Sequence, residues 1–128
     1  MRIPLKIKII APKPSKEYKE VIEFYRKRLK NLANFEFLSQ GLPKDAILLD
    51  PEGKELSSED FLKMLKNSFG REICFAVGDA HGFPAEIKRT HKKISLSRLT
   101  FQHDLAHLIL LEQLYRALLK LKGVEYEK

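Results

Sequence analysis

From Ile3 to Ile9 the apolar residues Ile3, Leu5, Ile7 and Ile9 alternate with Pro4, Lys6 and Lys8. A period of two predicts a β-strand with one wet face, and Pro12 and Pro14 end it. The period then changes. Tyr18, Val21, Ile22, Tyr25, Leu29 and Leu32 follow helical spacing, with Ser15 in the place of an N-cap. Phe35 to Leu38 reads as a short strand closed by Gly41 and Pro43. Ala46 to Asp50 is a compact apolar run, the pattern of a parallel strand covered on both faces, and Pro51 to Lys54 reads as a turn. Ser57 or Ser58 caps a second helix carrying Phe61, Leu62, Leu65 and Phe69, and Gly70 suits its end. Ile73 to Val77 is another buried strand, Pro84 opens a short helix, and Ile94 to Leu96 forms a last short strand. Asp104 to Leu121 is the longest helix, closed by Gly123.

Strands alternating with helices predict an α/β fold, a mainly parallel sheet flanked by helices on both faces. No repeat, low-complexity tract or long linker divides the chain, so residues 1–128 read as one domain. The final helix is unusual. Glu112, Arg116 and Lys120 form one narrow polar stripe with Gln113 beside it, and leucines cover nearly everything else. One small sheet can hardly bury such a helix, so part of it is expected to pack against a second copy, a homodimer.

Composition narrows the class. Hydrophobic residues at 44% and charged residues at 32% argue against disorder, and the single cysteine excludes a disulfide framework or a Cys-rich zinc module. No apolar run suits a bilayer span and no signal-peptide pattern opens the chain, so the expectation is a cytoplasmic protein without membrane contact. The net charge of +7 is concentrated near the start: residues 1–30 carry ten basic and three acidic side chains, leaving fourteen of each sign elsewhere. Such a stretch suits a nucleic-acid partner through phosphate contacts, although a merely solvated surface carries the same charge.

Three places bear candidate chemistry. Gly78-Asp-Ala-His-Gly82 follows a buried strand directly, where open α/β sheets bind ligands; a plain turn has the same composition. His103 and His107 stand one helical turn apart, in the form of a zinc-protease motif with Asp for Glu. A third ligand is not evident, and the expectation is no metal. Lys88, Arg89, Lys92, Lys93 and Arg98 form a second basic stretch, while Cys74 reads as a small core residue.

Three segments taken together resemble a known family. They are Leu49-Asp-Pro-Glu-Gly-Lys-Glu-Leu-Ser-Ser-Glu-Asp-Phe61, Val77-Gly-Asp-Ala-His-Gly-Phe83, and Ser95-Leu-Ser-Arg-Leu-Thr-Phe-Gln-His103 continuing to Leu111-Glu-Gln-Leu-Tyr-Arg-Ala117. This ordered set is similar to the ribosomal large-subunit pseudouridine methyltransferase H family of the SPOUT superfamily, over about residues 46–126. The resemblance implies a C-terminal trefoil knot, a homodimer, S-adenosylmethionine as methyl donor, and methylation of a pseudouridine ring nitrogen in large-subunit rRNA on the ribosome. By matching position it implies that Leu49, Gly78, Leu96, Ser97, Arg98, Leu99, Thr100 and Phe101 line the donor pocket. His103 and Tyr126 are the implied catalytic candidates, one for orienting or deprotonating the base and one for holding the nucleotide. The chain departs from the family's usual Gly-Gly-Pro-x-Gly loop at Asp79 and Ala80, carries His107 where Arg is common, and has Glu127 where a His follows the tyrosine. Between Phe35 and Ala46 it is also shorter than the family pattern, as if a helical segment were missing. The alternative reading is a non-catalytic RNA- or ribosome-binding module on the same fold.

Overall fold

A computed structural model describes residues 2–97 and 99–123. Five strands and four helices follow one another as β1 (Lys6–Ile10), α1 (Lys16–Lys30), β2 (Asn34–Leu38), β3 (Ile47–Glu55), α2 (Ser58–Lys66), β4 (Glu72–Val77), α3 (Ala85–Thr90), β5 (Lys92–Ser95) and α4 (His103–Leu121). The strands form one sheet in the order β2-β1-β4-β3-β5, and every pairing between named strands is parallel.

The two faces of the sheet are filled differently. On one, β1 side chains Ile7 and Ile9 join Phe75 and Val77 of β4 beneath Ile22 and Leu29 of α1, Phe61 and Leu65 of α2, and Leu110, Leu111, Leu114 and Leu118 of α4. The other face buries only Ile10, Ala46, Leu48, Cys74 and Ala76, with Leu38, Leu42, Phe83 and Ile87 packed against them. Helices therefore flank both faces as expected, but among the described residues the second is covered only by the six-residue α3, Phe83 just before it and the 39–46 loop. Burial pushes the Cys74 thiol up to about 11, as befits a core residue.

Local chemistry explains most boundaries. Ser57 and Asp60 form a capping box, Ser57 Oγ accepting the Asp60 amide at 3.0 Å, which selects Ser57 over Ser58 as the cap. Gly123 closes α4 in the left-handed conformation at φ +86°. Ser15 is the N-cap of α1, but its side chain makes no capping bond; its amide instead donates to Asp104 at 3.2 Å. Phe69 falls beyond α2 and is exposed, so the apolar run on that helix ends at Leu65.

The segment read as a turn, Pro51 to Lys54, belongs to β3. Pairing with β5 breaks after Leu49 and resumes at Lys54, and both of these residues face Ile94. Residues 50–53 leave the ladder between these two pairings and pass over the β5 backbone. At the crossing a side chain on Gly53 would stand 2.6 Å from the Ile94 nitrogen and 2.7 Å from the Lys93 carbonyl carbon, so only glycine fits.

Candidate functional site

The middle of β3 lies beside the carboxyl ends of β4 and β5, and Leu49 to Pro51 with the loops leaving β4 and β5 enclose a cavity of about 330 Å³. That is the low end of the range for small-molecule sites, about 300–1,000 Å³. Leu49, Asp50 and Pro51 form one wall, and Val77 to Ala80 with Gly82 a second. A third wall runs from Ser95 to Ser97 and from Leu99 to His103, and Ala106 completes the lining from α4.

Each wall is held by its own hydrogen bonds. The Asp79 carboxylate accepts the His81 amide at 2.9 Å, and the Gly82 amide bonds the Asp79 carbonyl at 2.9 Å. Asp79 therefore closes its own loop as an Asx turn, with Gly82 left-handed at φ +75°, so the exposed carboxylate is spent on the turn. At Gly78 a Cβ would meet the Gly82 backbone at 3.2 Å and the Phe83 ring at 3.3 Å. In the third wall Ser95 Oγ donates to the Ser97 carbonyl and accepts the Ser97 amide, while Ser97 Oγ accepts the Leu99 amide at 3.1 Å.

Of the residues expected from the sequence, Leu49, Gly78, Leu96, Ser97, Leu99, Thr100, Phe101 and His103 meet around this one cavity. Arg98 and Tyr126 lie outside the described residues. Asp50, Pro51, Val77, Gln102 and Ala106 were not singled out from the sequence, although the apolar run read there as a strand ends at Asp50, where the ligand rule places candidates. Leu99 is 72% exposed at the rim, an apolar side chain left toward the mouth.

His103 opens α4 with Nε2 3.7 Å from Asp104 Oδ1. Asp104 is 1% exposed. Its carboxylate accepts the Ser15 amide and, at 3.5 Å, Gln102 Nε2. Burial by itself would raise the Asp104 pKa, but the bonds from Ser15 and Gln102 leave it below the usual carboxylate range. This tie from α4 to the start of α1 fixes the turn that presents His103.

His107 occupies the core at 1% exposure, with neither ring nitrogen hydrogen-bonded to protein. Burial, reinforced by Arg26, pushes its pKa down to about 4, so the ring is neutral. Among the described residues no three of His, Cys, Asp and Glu converge as a metal site. Arg26 is not a free surface cation either. Its guanidinium lies 4.8 Å from the centre of the Phe37 ring, Nε is buried without a partner, and burial lowers its pKa against the opposing pull of Glu23.

Comparison with known proteins adds to this geometry. A family model described as "Predicted SPOUT methyltransferase" matches residues 39–127. A protein of Prochlorococcus marinus named ribosomal RNA large subunit methyltransferase H is 37% identical over 97% of this chain and 95% of its own length. One of the same name from Protochlamydia amoebophila is 34% identical over 97% of this chain and 99% of its own. Among solved structures, a ribosomal RNA small subunit methyltransferase E from Neisseria gonorrhoeae, bound to S-adenosyl methionine, superposes with a TM-score of 0.57 at 12% identity. The match covers 94% of this chain and 68% of that one.

Proposed function

The chain belongs to the SPOUT methyltransferase family, and on that premise we propose that it methylates a pseudouridine ring nitrogen in large-subunit ribosomal RNA, using S-adenosylmethionine. The observation that carries the reading is the convergence of three sequence-distant segments, around Leu49, Gly78 and Leu96 to Phe101, on one cavity at the sheet's carboxyl edge.

The lining suits the donor. Leu49, Val77, Leu96 and Phe101 offer apolar surface for an adenine, and the glycine loop brings backbone groups close, since a Cβ at Gly78 would already be in tight contact. The donor, when bound, supplies a methyl group on a sulfonium centre. Leu49, Gly78, Leu96, Ser97, Leu99, Thr100 and Phe101 would hold it, and the family resemblance adds Arg98. His103 stands at the cavity wall, where it orients the acceptor base or takes its proton. By the family resemblance Tyr126 would hold the nucleotide. Holding donor and acceptor in line is itself a large part of such catalysis.

The working unit is a homodimer of single-domain chains in the cytoplasm. Val21 and Phe24 are exposed on α1, next to Tyr25, which meets Tyr115 of α4 edge to face at 6.0 Å between centres. A second copy covering this α1–α4 face buries them. The passage of residues 50–53 across β5 is read as one crossing of the trefoil knot. Exposed Lys27, Arg28 and Lys30 supply phosphate contacts. Among the described residues no helix is long and apolar enough to cross a membrane.

Calorimetry with S-adenosylmethionine, followed by transfer of a labelled methyl group to large ribosomal subunits, tests the reading. Saturable donor binding with incorporation into large-subunit rRNA is expected. Salt-dependent RNA binding by a folded protein that never binds the donor would establish the non-catalytic module instead.

A further inference from the structure

The donor cavity is held together by an ion pair between elements that are otherwise loosely joined. Asp50 is buried, its side chain 4% exposed, at the point where β3 departs to cross β5. Oδ1 accepts the Glu52 amide at 2.9 Å, and Oδ2 lies 3.2 Å from Nζ of Lys88 on α3. Lys88 also reaches Glu52 Oε1 at 3.4 Å.

α3 has little else to hold it. It is six residues long, buries no side chain, and has no side-chain cap. It nevertheless connects two of the three walls, since the chain enters it from Gly82 and leaves it toward Ser95. The remaining ties are Ile87 on the small cluster, Lys93 Nζ donating to the Lys88 carbonyl at 2.9 Å, and His91 Nε2 at 3.1 Å from the Pro43 carbonyl. None of these reaches the wall formed by residues 49–51. Lys88 alone among the described ties of α3 does.

We propose that Lys88 is a positioning residue for the methyl donor: paired with Asp50, it draws α3 against the first wall and sets the spacing of all three donor-binding segments. The proposal rests on the methyltransferase reading of this cavity. Without Lys88, Asp50 becomes a buried carboxylate lacking its countercharge, and it can recover solvent only by moving the wall that carries it. The cavity then opens while the bulk of the main core, beneath α1, α2 and α4, stays intact.

Donor affinity of Lys88→Met, Asp50→Asn, the double variant and Lys88→Arg tests this, with thermal unfolding as the fold control. Lys88→Met should weaken S-adenosylmethionine binding about tenfold, with the double variant no worse than Lys88→Met alone, because both changes remove one interaction. Lys88→Arg, which keeps the charge, should recover to within about threefold. In turnover the loss should appear in KM for the donor, with kcat held within about twofold. Unchanged affinity in Lys88→Met, losses that multiply in the double variant, or a fall in kcat at constant KM would each overturn the proposal. If the native protein itself binds no donor, the functional reading fails rather than the role of Lys88.

Discussion

The two faces of the sheet divide the work of the molecule. One face packs Phe75, Ile7 and Ile9 beneath three helices, and nearly every large, fully buried side chain lies there. The other buries mainly small side chains, Ala46, Cys74 and Ala76 among them, and its outer part is a ladder of solvated charges. There Lys6 and Lys8 of β1 meet Glu72 of β4 at 3.5 and 3.8 Å, and Lys8 meets Glu36 of β2 at 3.9 Å. Apolar area buried sets stability, so the first face carries the fold. The second supports α3, whose small contact area leaves its position to polar ties. A segment that shapes a ligand site without anchoring the fold can be adjusted at little cost in stability.

The largest effect should come from the heavy face. Phe75→Ala removes a ring that packs 5.9 Å from Phe61, between centres, and should cost about 4 kcal/mol in denaturant unfolding. A cost no larger than that of a surface change would break the division between the faces. Acid provides the next test. Below 6.5, the ordinary histidine value, the unfolded chain takes up a proton at His107 that the folded chain refuses until about pH 4. Stability should therefore fall as pH drops from 6.5 to 4, by about 3 kcal/mol from this group. His107→Leu should remove that part of the slope. If both proteins lose stability in parallel, the buried neutral ring is not its source.

Gly53→Ala probes the crossing rather than either face. Its Cβ would collide with the backbone of Lys93 and Ile94, which cannot swing aside as a flexible side chain would. A loss of about 2 kcal/mol is expected, together with weaker donor binding, because the crossing begins at Asp50. Smallest of all should be Lys6→Met on the charged ladder, within about 0.5 kcal/mol of the native protein, since exposed pairs are worth little. A loss comparable to that of Phe75→Ala would mean the light face carries load after all.

Sequence by itself determined what depends on near neighbours along the chain. Periods of two and of helical repeat placed the strands and helices, because side-chain direction follows backbone geometry within a few residues. The Ser57-Ser58 pair and the glycine at 123 marked helix ends for the same local reason, and the structure chose Ser57 as the cap. Of the donor-site candidates, the Gly78 to Gly82 loop was legible as a segment following a strand, a position open α/β sheets use for ligands, whereas Leu49 and Leu96 to Phe101 came from the family resemblance. Tertiary structure alone decided which strands are neighbours, which face each helix takes, and what the intervening residues become. Pro51 to Lys54 looks like a turn locally and is a crossing only because β5, some forty residues later, lies beneath Gly53. Packing of α1 against α4 takes the His107 ring out of water and buries Arg26 Nε, and no local pattern in the sequence marks either. Asp50 and Lys88 have no relation in sequence, and burial of one beside the other makes them a pair. Burial and charge pairing depend on which distant segments share a volume, and no periodicity along the chain encodes that.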